Sequence, residues 1–226
     1  MSLSIIIPVL NEIDLVEKCL CQLSEVRARG AEVIVVDGGS SDGTVVAAQP
    51  LADRVLAASR GRASQMNAGA RAASGDALLF VHVDTELPLG ADAMIEAALA
   101  QPAGIWGRFD VRIVPETPPL GVVAWTMNLR SRLCGIATGD QAIFMRRSAF
   151  VAIGGYPEIP LMEDIALSKH LKRSAKPVCL HARVSTSARR WRKHGVVRTV
   201  LLMWRIRLAY FLGVDPQILA RRYGYG

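Results

Sequence analysis

The sequence predicts an α/β protein with a mostly parallel central sheet, its first third laid out as half of a Rossmann-like unit. Three observations carry this. Short apolar runs recur at residues 3–9, 32–37, 53–57 and 77–81, with helical patterns between them. Runs that are apolar at nearly every position mark strands buried on both faces, as in a parallel sheet. The first, second and fourth runs lead into polar residues, ending at Glu12, Asp37 and Asp84. In open α/β sheets the ligand site lies just beyond the carboxyl ends of the strands.

The stretch Ala-Leu-Leu-Phe-Val-His-Val-Asp-Thr-Glu, residues 77–86, organises the rest. It starts apolar and ends in His82, Asp84, Thr85 and Glu86. A carboxylate delivered there can hold a divalent cation, and the cation can hold phosphate oxygens. Taken alone, Asp84 serves equally well as a helix cap.

In chain order, residues 3–9 form the first strand, stopped near Pro8. Asp14 is placed to cap a helix carrying Leu15, Cys19, Leu20, Leu23 and Val26, closed by Gly30. After the second strand comes Gly38-Gly39-Ser40-Ser41-Asp42-Gly43-Thr44. This is a tight turn with exposed backbone amides, suited to a nucleotide, although neither G-x-G-x-x-G nor the P-loop pattern is present. Residues 61–73 read as a small-residue helix. Arg62 stands at its start, where the helix dipole disfavours a cation, which suggests an anionic partner, although an ordinary surface Arg is the commoner case.

Further on, a helix from Pro88 to about Ala100 precedes an alternating strand over residues 107–114. A helix over 120–133, a strand over 142–146 and a helix starting at Glu163-Asp164 follow. A short strand is expected at 177–181, a polar basic segment at 184–191, and one long apolar helix at 196–214.

The formal net charge is +7, and the basic residues concentrate at the C-terminal end. Residues 183–226 hold ten Lys/Arg and one acid, Asp215. Without interleaved aromatics this does not read as a nucleic-acid surface. It suits a peripheral contact with an anionic membrane, a phosphorylated acceptor, or a solvated helix face. Arg198, Arg205 and Arg207 argue against a membrane span at 196–214, while an exposed face there would suit a homodimer. Cys19, Cys21, Cys134 and Cys179 lack zinc-like spacing and read as reduced thiols. With Met1-Ser2 leading straight into a strand pattern, a cytoplasmic protein is expected.

The motifs taken together resemble a glycosyltransferase of family 2 with the GT-A fold. They are Pro8-Val9-Leu10-Asn11-Glu12, the segment from Val36-Asp37 to Thr44, Gly61-Arg62-Ala63 with Asn67-Ala68-Gly69, Val83-Asp84-Thr85, and Glu163-Asp164. The resemblance spans about residues 3–192. It divides the chain into a nucleotide-sugar-binding half (1–86), an acceptor half (87–192) and a basic helical extension (193–226). His82-Val83-Asp84-Thr85 and Ser187-Ala188-Arg189-Arg190-Trp191 further resemble a bacterial subgroup of radical-SAM/selenodomain-associated transferases.

The resemblance implies a hexosyltransferase-type enzyme that takes a UDP- or GDP-sugar and inverts its anomeric centre. Pro8, Asn11, Glu12 and Asp37 would hold base and ribose, with Gly39, Arg62 and Asn67 also facing the donor. Asp84 would bind Mn²⁺ or Mg²⁺ on the diphosphate. Asp164, beside Glu163, would be the catalytic base. Gly139 and Asp140 would shape the acceptor pocket, and Arg189, Arg190 and Trp191 would contact diphosphate or acceptor. One departure stands out: the family usually has an acid where His82 stands. His82 could ligate Mn²⁺, with His181 or His194 as a further ligand. Two alternatives remain at this stage. One is a nucleotide-sugar-binding protein without catalysis. The other, a sugar nucleotidyltransferase, lacks an early glycine-rich loop with Arg and Lys.

Overall fold

A computed structural model describes residues 1–223. The order of elements is β1 (Leu3–Val9), α1 (Ile13–Gln22), α2 (Ser24–Ala28), β2 (Glu32–Asp37), α3 (Thr44–Ala48), β3 (Arg54–Ala57), α4 (Arg62–Ala72) and β4 (Ala77–Phe80). These are followed by β5 (Thr85–Glu86), α5 (Ala91–Ala100), β6 (Trp106–Val114), α6 (Pro118–Cys134), a 3₁₀ turn (Gly139–Gln141), β7 (Phe144–Arg146) and α7 (Arg147–Ala152). The chain closes with α8 (Glu163–Ser174), β8 (Val178–Ser187), α9 (Arg189–His194), α10 (Val196–Phe211) and α11 (Pro216–Tyr223).

The eight strands form one mixed sheet in the order β3-β2-β1-β4-β7-β6-β8-β5. β1 through β4 are parallel neighbours, as their continuous apolar runs require. β7 joins both β4 and β6 antiparallel, and this reversal separates the two halves of the sheet. Successive strand residues point to opposite faces. Ile5 and Ile7 pack with Val16 and Leu20 of α1 and Ile95 of α5. Ile6 packs instead with Met66 of α4 and Leu167 of α8. The result is a helix layer on each side of the sheet. α4 lies close because Gly69 has no side chain: a Cβ there would come within 2.5 Å of Ile6.

Several local expectations change. Asp14 does not cap α1; Asp42 accepts the Ile13 N–H and the Thr44 hydroxyl accepts the Glu12 N–H. The single helix expected up to Gly30 is two, divided at Leu23. α5 begins at Ala91 rather than Pro88. β8 runs on to Ser187, through residues whose polarity reads as loop. Pairing with β6 and β5 satisfies their backbone and buries Ser185 and Thr186. The C-terminal helix stops at Phe211, and α11 is a separate element. α10 and α11 bury Ile206 and Leu219 against Met162 and Ile165 at the start of α8, so the extension is packed onto the domain. Among the described residues no helix is long and apolar enough to cross a membrane.

The part of the sheet built on β6 is held by a buried charge network. Arg108, fully buried on β6, donates to Asp110 and to the Asn128 carbonyl, and Asp110 also accepts from Arg132 at 2.6 Å. Removing one partner of a buried pair leaves an uncompensated charge, at a cost of about 3–5 kcal/mol. Asp110→Ala is therefore expected to lose stability of that order in urea unfolding. A change near zero would show that Arg108 finds other partners.

Candidate active site

The site floor is built where β1 and β2 end. Asn11, at φ +52°, donates its N–H to the Ser40 hydroxyl oxygen (2.8 Å), and its side-chain oxygen accepts the Ser41 N–H (2.9 Å). Asp37 is buried and accepts the Gly39 and Ser40 amides and the Ser40 hydroxyl. A carboxylate folded back on its own loop in this way sets the loop's shape. Gln65, which the sequence reading passed over, is buried on α4 and donates to both the Val9 and Val36 carbonyls at 2.8 Å. It pins the two strand ends together. Pro8, half-buried, sits opposite Val36 in the β1–β2 register. Gly39 is exposed, at φ +97°. Glu12 receives a two-pronged pair from Arg189 at 3.0 Å on each oxygen, which joins the β1 loop to the start of α9. That pairing raises the Arg189 pKa.

The far wall is the 3₁₀ turn. His82 follows β4, and its Nδ1 lies 3.4 Å from Asp140. The other edge of its ring lies against Gly139, where a Cβ would come within 2.5 Å. The Gly139 N–H donates to Asp164 at 3.0 Å, and the Ile165 N–H donates to the other oxygen at 2.7 Å. Asp84, Asp140 and Asp164 thus approach one another through His82 and Gly139. Ala142 and Met162, which flank these segments, both have positive φ without being glycine (+47° and +71°). Such backbone is retained only where its surroundings over-determine it, and it clusters at functional sites.

The site's charges are unequal. Burial raises the Asp84 pKa and nearby Asp140 adds to this, while His82, Arg189 and Arg62 oppose it. Burial also acts to raise Asp140, but its hydrogen bond with His82 and the charges of His82, Arg62 and Arg190 outweigh that and hold it low. Glu163 is pushed up to about 7 by burial and by the charge of Asp164, against Arg62 and His82. Arg62 therefore acts on Asp84, Asp140 and Glu163 alike, from the N-terminal turn of α4.

Other candidates are placed differently. Asn67 is buried, and its amide exchanges two hydrogen bonds of 2.9 Å with the Tyr156 backbone, so it clasps the loop after α7. Among the described residues His181 forms no metal-type cluster with Asp84 and His82. It lies beside Arg132, five residues back along β8 from Thr186, the register partner of Thr85. Trp191 is half-buried against Leu120 and Ala124 rather than open to the site. The Arg190 guanidinium stacks on Tyr223, 3.7 Å from the ring centroid.

A sequence model described as glycosyl transferase family 2 matches residues 4–150. The chain belongs to this family. Comparison with curated proteins finds no match. Similar solved structures include a mannosyltransferase from Pyrobaculum calidifontis in complex with GDP-Man and Mn²⁺ (23% identity, TM-score 0.66, 97% of this chain and 64% of that one). TarS 1-349 of S. aureus with UDP-GlcNAc is similar at 19% identity and TM-score 0.68, over 83% of this chain and 58% of that one. Glucosyl-3-phosphoglycerate synthase from Mycobacterium tuberculosis, with Mn²⁺, UDP and glucosyl-3-phosphoglycerate, matches at 19% and 0.61, over 82% and 70%. These likenesses establish the GT-A fold. The chain spans about two thirds or less of the Pyrobaculum and staphylococcal proteins.

In this family 2 chain the residues present fit a divalent cation in one particular way. Among the described residues no three His, Cys, Asp or Glu side chains form a ready-made cage. Asp84 is a partly buried carboxylate whose pKa is raised, so a cation would relieve it. Magnesium-type sites commonly use one or two carboxylates and complete their shell with substrate phosphates and water. His82 has its Nδ1 near Asp140 and the other edge of its ring against Gly139.

Glu163 makes a pH prediction. It titrates near 4.5 when unfolded and near 7 when folded, so the folded state holds the extra proton between these values. Stability is then greatest below the unfolded pKa and falls as pH rises through the folded one, by on the order of 3 kcal/mol. Glu163→Gln mimics the protonated form, so its advantage in denaturant unfolding is expected to grow from pH 4.5 to 8. A pH-independent difference would contradict the assignment.

Proposed function

We propose that the protein transfers a sugar from a nucleoside diphosphate sugar to an acceptor hydroxyl with inversion at the anomeric carbon. The observation that carries this is Asp164, held by two backbone amides and linked through Gly139 and His82 to the Asp84 side of the site. Asp164 takes the proton of the attacking hydroxyl as the bond to the anomeric carbon forms and the bond to the diphosphate breaks. Arg62, Arg189 and Arg190 offset the negative charge of the departing diphosphate. A bound Mn²⁺ or Mg²⁺, held by Asp84 and the diphosphate, would supply Lewis-acid stabilisation of that charge. The β1 and β2 loops, shaped by Asn11 and Asp37, would receive the base and ribose. The GDP-Man, UDP and UDP-GlcNAc complexes of similar structures support a UDP- or GDP-sugar donor, and their Mn²⁺ supports the cation. The two segments around His82 and Arg189 support the narrower radical-SAM/selenodomain-associated subgroup.

The deciding experiment is thermal unfolding with UDP, GDP and their sugars, with and without Mn²⁺, followed by a transfer assay on the donor that binds. Binding to the folded state raises apparent stability. Asp84→Asn is expected to lose the metal-dependent part of the shift. Asp164→Asn is expected to keep it and lose about 10²–10⁴-fold in transfer. Full transfer by Asp164→Asn would remove the base assignment, and binding without any transfer in the parent protein would leave a sugar-nucleotide-binding protein.

The outer face suggests where the enzyme works. α6 and α10 lie side by side: Val196 meets Leu120 and Ala124, while Arg207 acts on Arg130 further along. Together they expose Val122, Trp125, Leu133, Leu201 and Trp204, with Arg198 and Arg205 nearby in sequence. Exposed tryptophans with basic residues suit an anionic membrane surface. Vesicle co-sedimentation is expected to rise with phosphatidylglycerol content and to fall on Trp204→Ala; indifference to lipid charge would point to a second copy of the chain instead.

A further inference from the structure

Beyond the donor-side charges, α6 and α10 bring two arginines together at the acceptor side of Asp164. The Nε and Nη2 of Arg130 and the Nε of Arg207 are buried with no hydrogen-bond partner among the described residues. Burial and the charge of Arg207 lower the Arg130 pKa to about 10, so the Arg130 guanidinium is still charged at neutral pH. Buried donors are almost always paired, and buried like charges without a counter-ion are strongly unfavourable. The carboxylate that does act on Arg130 is Asp164, whose two oxygens are already taken by the Gly139 and Ile165 amides. By contrast, Asp84 and Asp140 feel His82 and Arg62, together with Arg189 or Arg190. Asp164 therefore stands between two basic groups, one placed for a diphosphate and one with unfilled donors.

We propose that Arg130 and Arg207 form an anion site that takes a phosphate or carboxylate carried by the acceptor, holding its hydroxyl towards Asp164. This rests on the transferase reading above and adds the acceptor's chemical class. Guanidinium groups present planar pairs of donors that match the oxygens of phosphate and carboxylate. Tyr210, one turn after Arg207 on α10, is also within reach of the Asp164 charge and lines the same side. α10 thus serves as a wall of the acceptor pocket. The site becomes complete only when the C-terminal helices pack onto α8, as Ile206 and Leu219 do against Met162 and Ile165.

The test is thermal unfolding of the full chain and of Arg130→Met and Arg207→Met in inorganic phosphate at constant ionic strength. A parallel arm uses UDP or GDP with Mg²⁺. Phosphate is expected to raise the wild-type midpoint saturably, and each variant to lose most of that increment while keeping its nucleotide shift. Without phosphate the variants should melt at or above the wild type, because an unpaired buried charge has been removed. Arg207→Lys, which keeps the charge and loses the fork, should give an intermediate increment and guards against a misfolded Met variant. A lipid arm separates the sources: if the phosphate belongs to a lipid headgroup, binding to phosphatidic acid vesicles falls in Arg130→Met, and if it is free, vesicle binding is unchanged while the phosphate increment is lost. A phosphate increment identical in wild type and variants overturns the proposal. So does the absence of any increment together with vesicle binding indifferent to both substitutions. A missing nucleotide shift in the wild type would count against the donor site alone.

Discussion

The contact on which the site depends is made at Gly139. Its N–H holds the Asp164 carboxylate, and its bare Cα receives the ring of His82, whose Nδ1 faces Asp140. Asp164 at the start of α8 and Asp84 after β4 stand 80 residues apart in sequence. They are registered through one residue that has no room for a side chain. The turn carrying Gly139 is itself fixed by the Thr138 N–H donating to the Gln141 side chain, by the Gln141 N–H donating to the Thr138 carbonyl, and by Gln141 donating to Ser131 of α6.

The electrostatics follow from burying acids at strand and helix ends. Asp84 and Glu163 are both raised by desolvation, and Arg62 opposes the shift in both. Asp140 is held low by His82. Such an arrangement stores unfavourable negative charge that a cation would balance. The strained backbone at Asn11, Ala142 and Met162 lies at the same end of the sheet. Local stability has been given up there for geometry, in keeping with a surface that orders ligands.

Much of the nucleotide half was legible. β1, β2 and β4 are runs whose apolarity needs no partner to be recognised, and the polar residues that end them mark the site edge. Less was legible in the second half of the chain. β8 contains Ser185 and Thr186, whose burial depends on β6 and β5 being present, so no local period announces the strand. Asn67 looks like a donor contact in sequence and turns out to clasp Tyr156, because an amide pairs equally well with a ligand or a backbone. Gln65 carries no motif at all; only the convergence of two strand ends gives it its role.

The sequence by itself determined the α/β class, the order of the nucleotide-binding elements, the family, and which carboxylates stand at strand and helix ends. These are properties of local pattern, since burial on both faces and capping chemistry act over a few residues. Only the tertiary structure decided that His82 faces Asp140, that His181 lies beside Arg132, and that Arg130 and Arg207 meet with unfilled donors near Asp164. Those facts depend on distances between segments far apart in the chain. Such distances are set by the summed packing of sheet and helices, and no short stretch of residues encodes them.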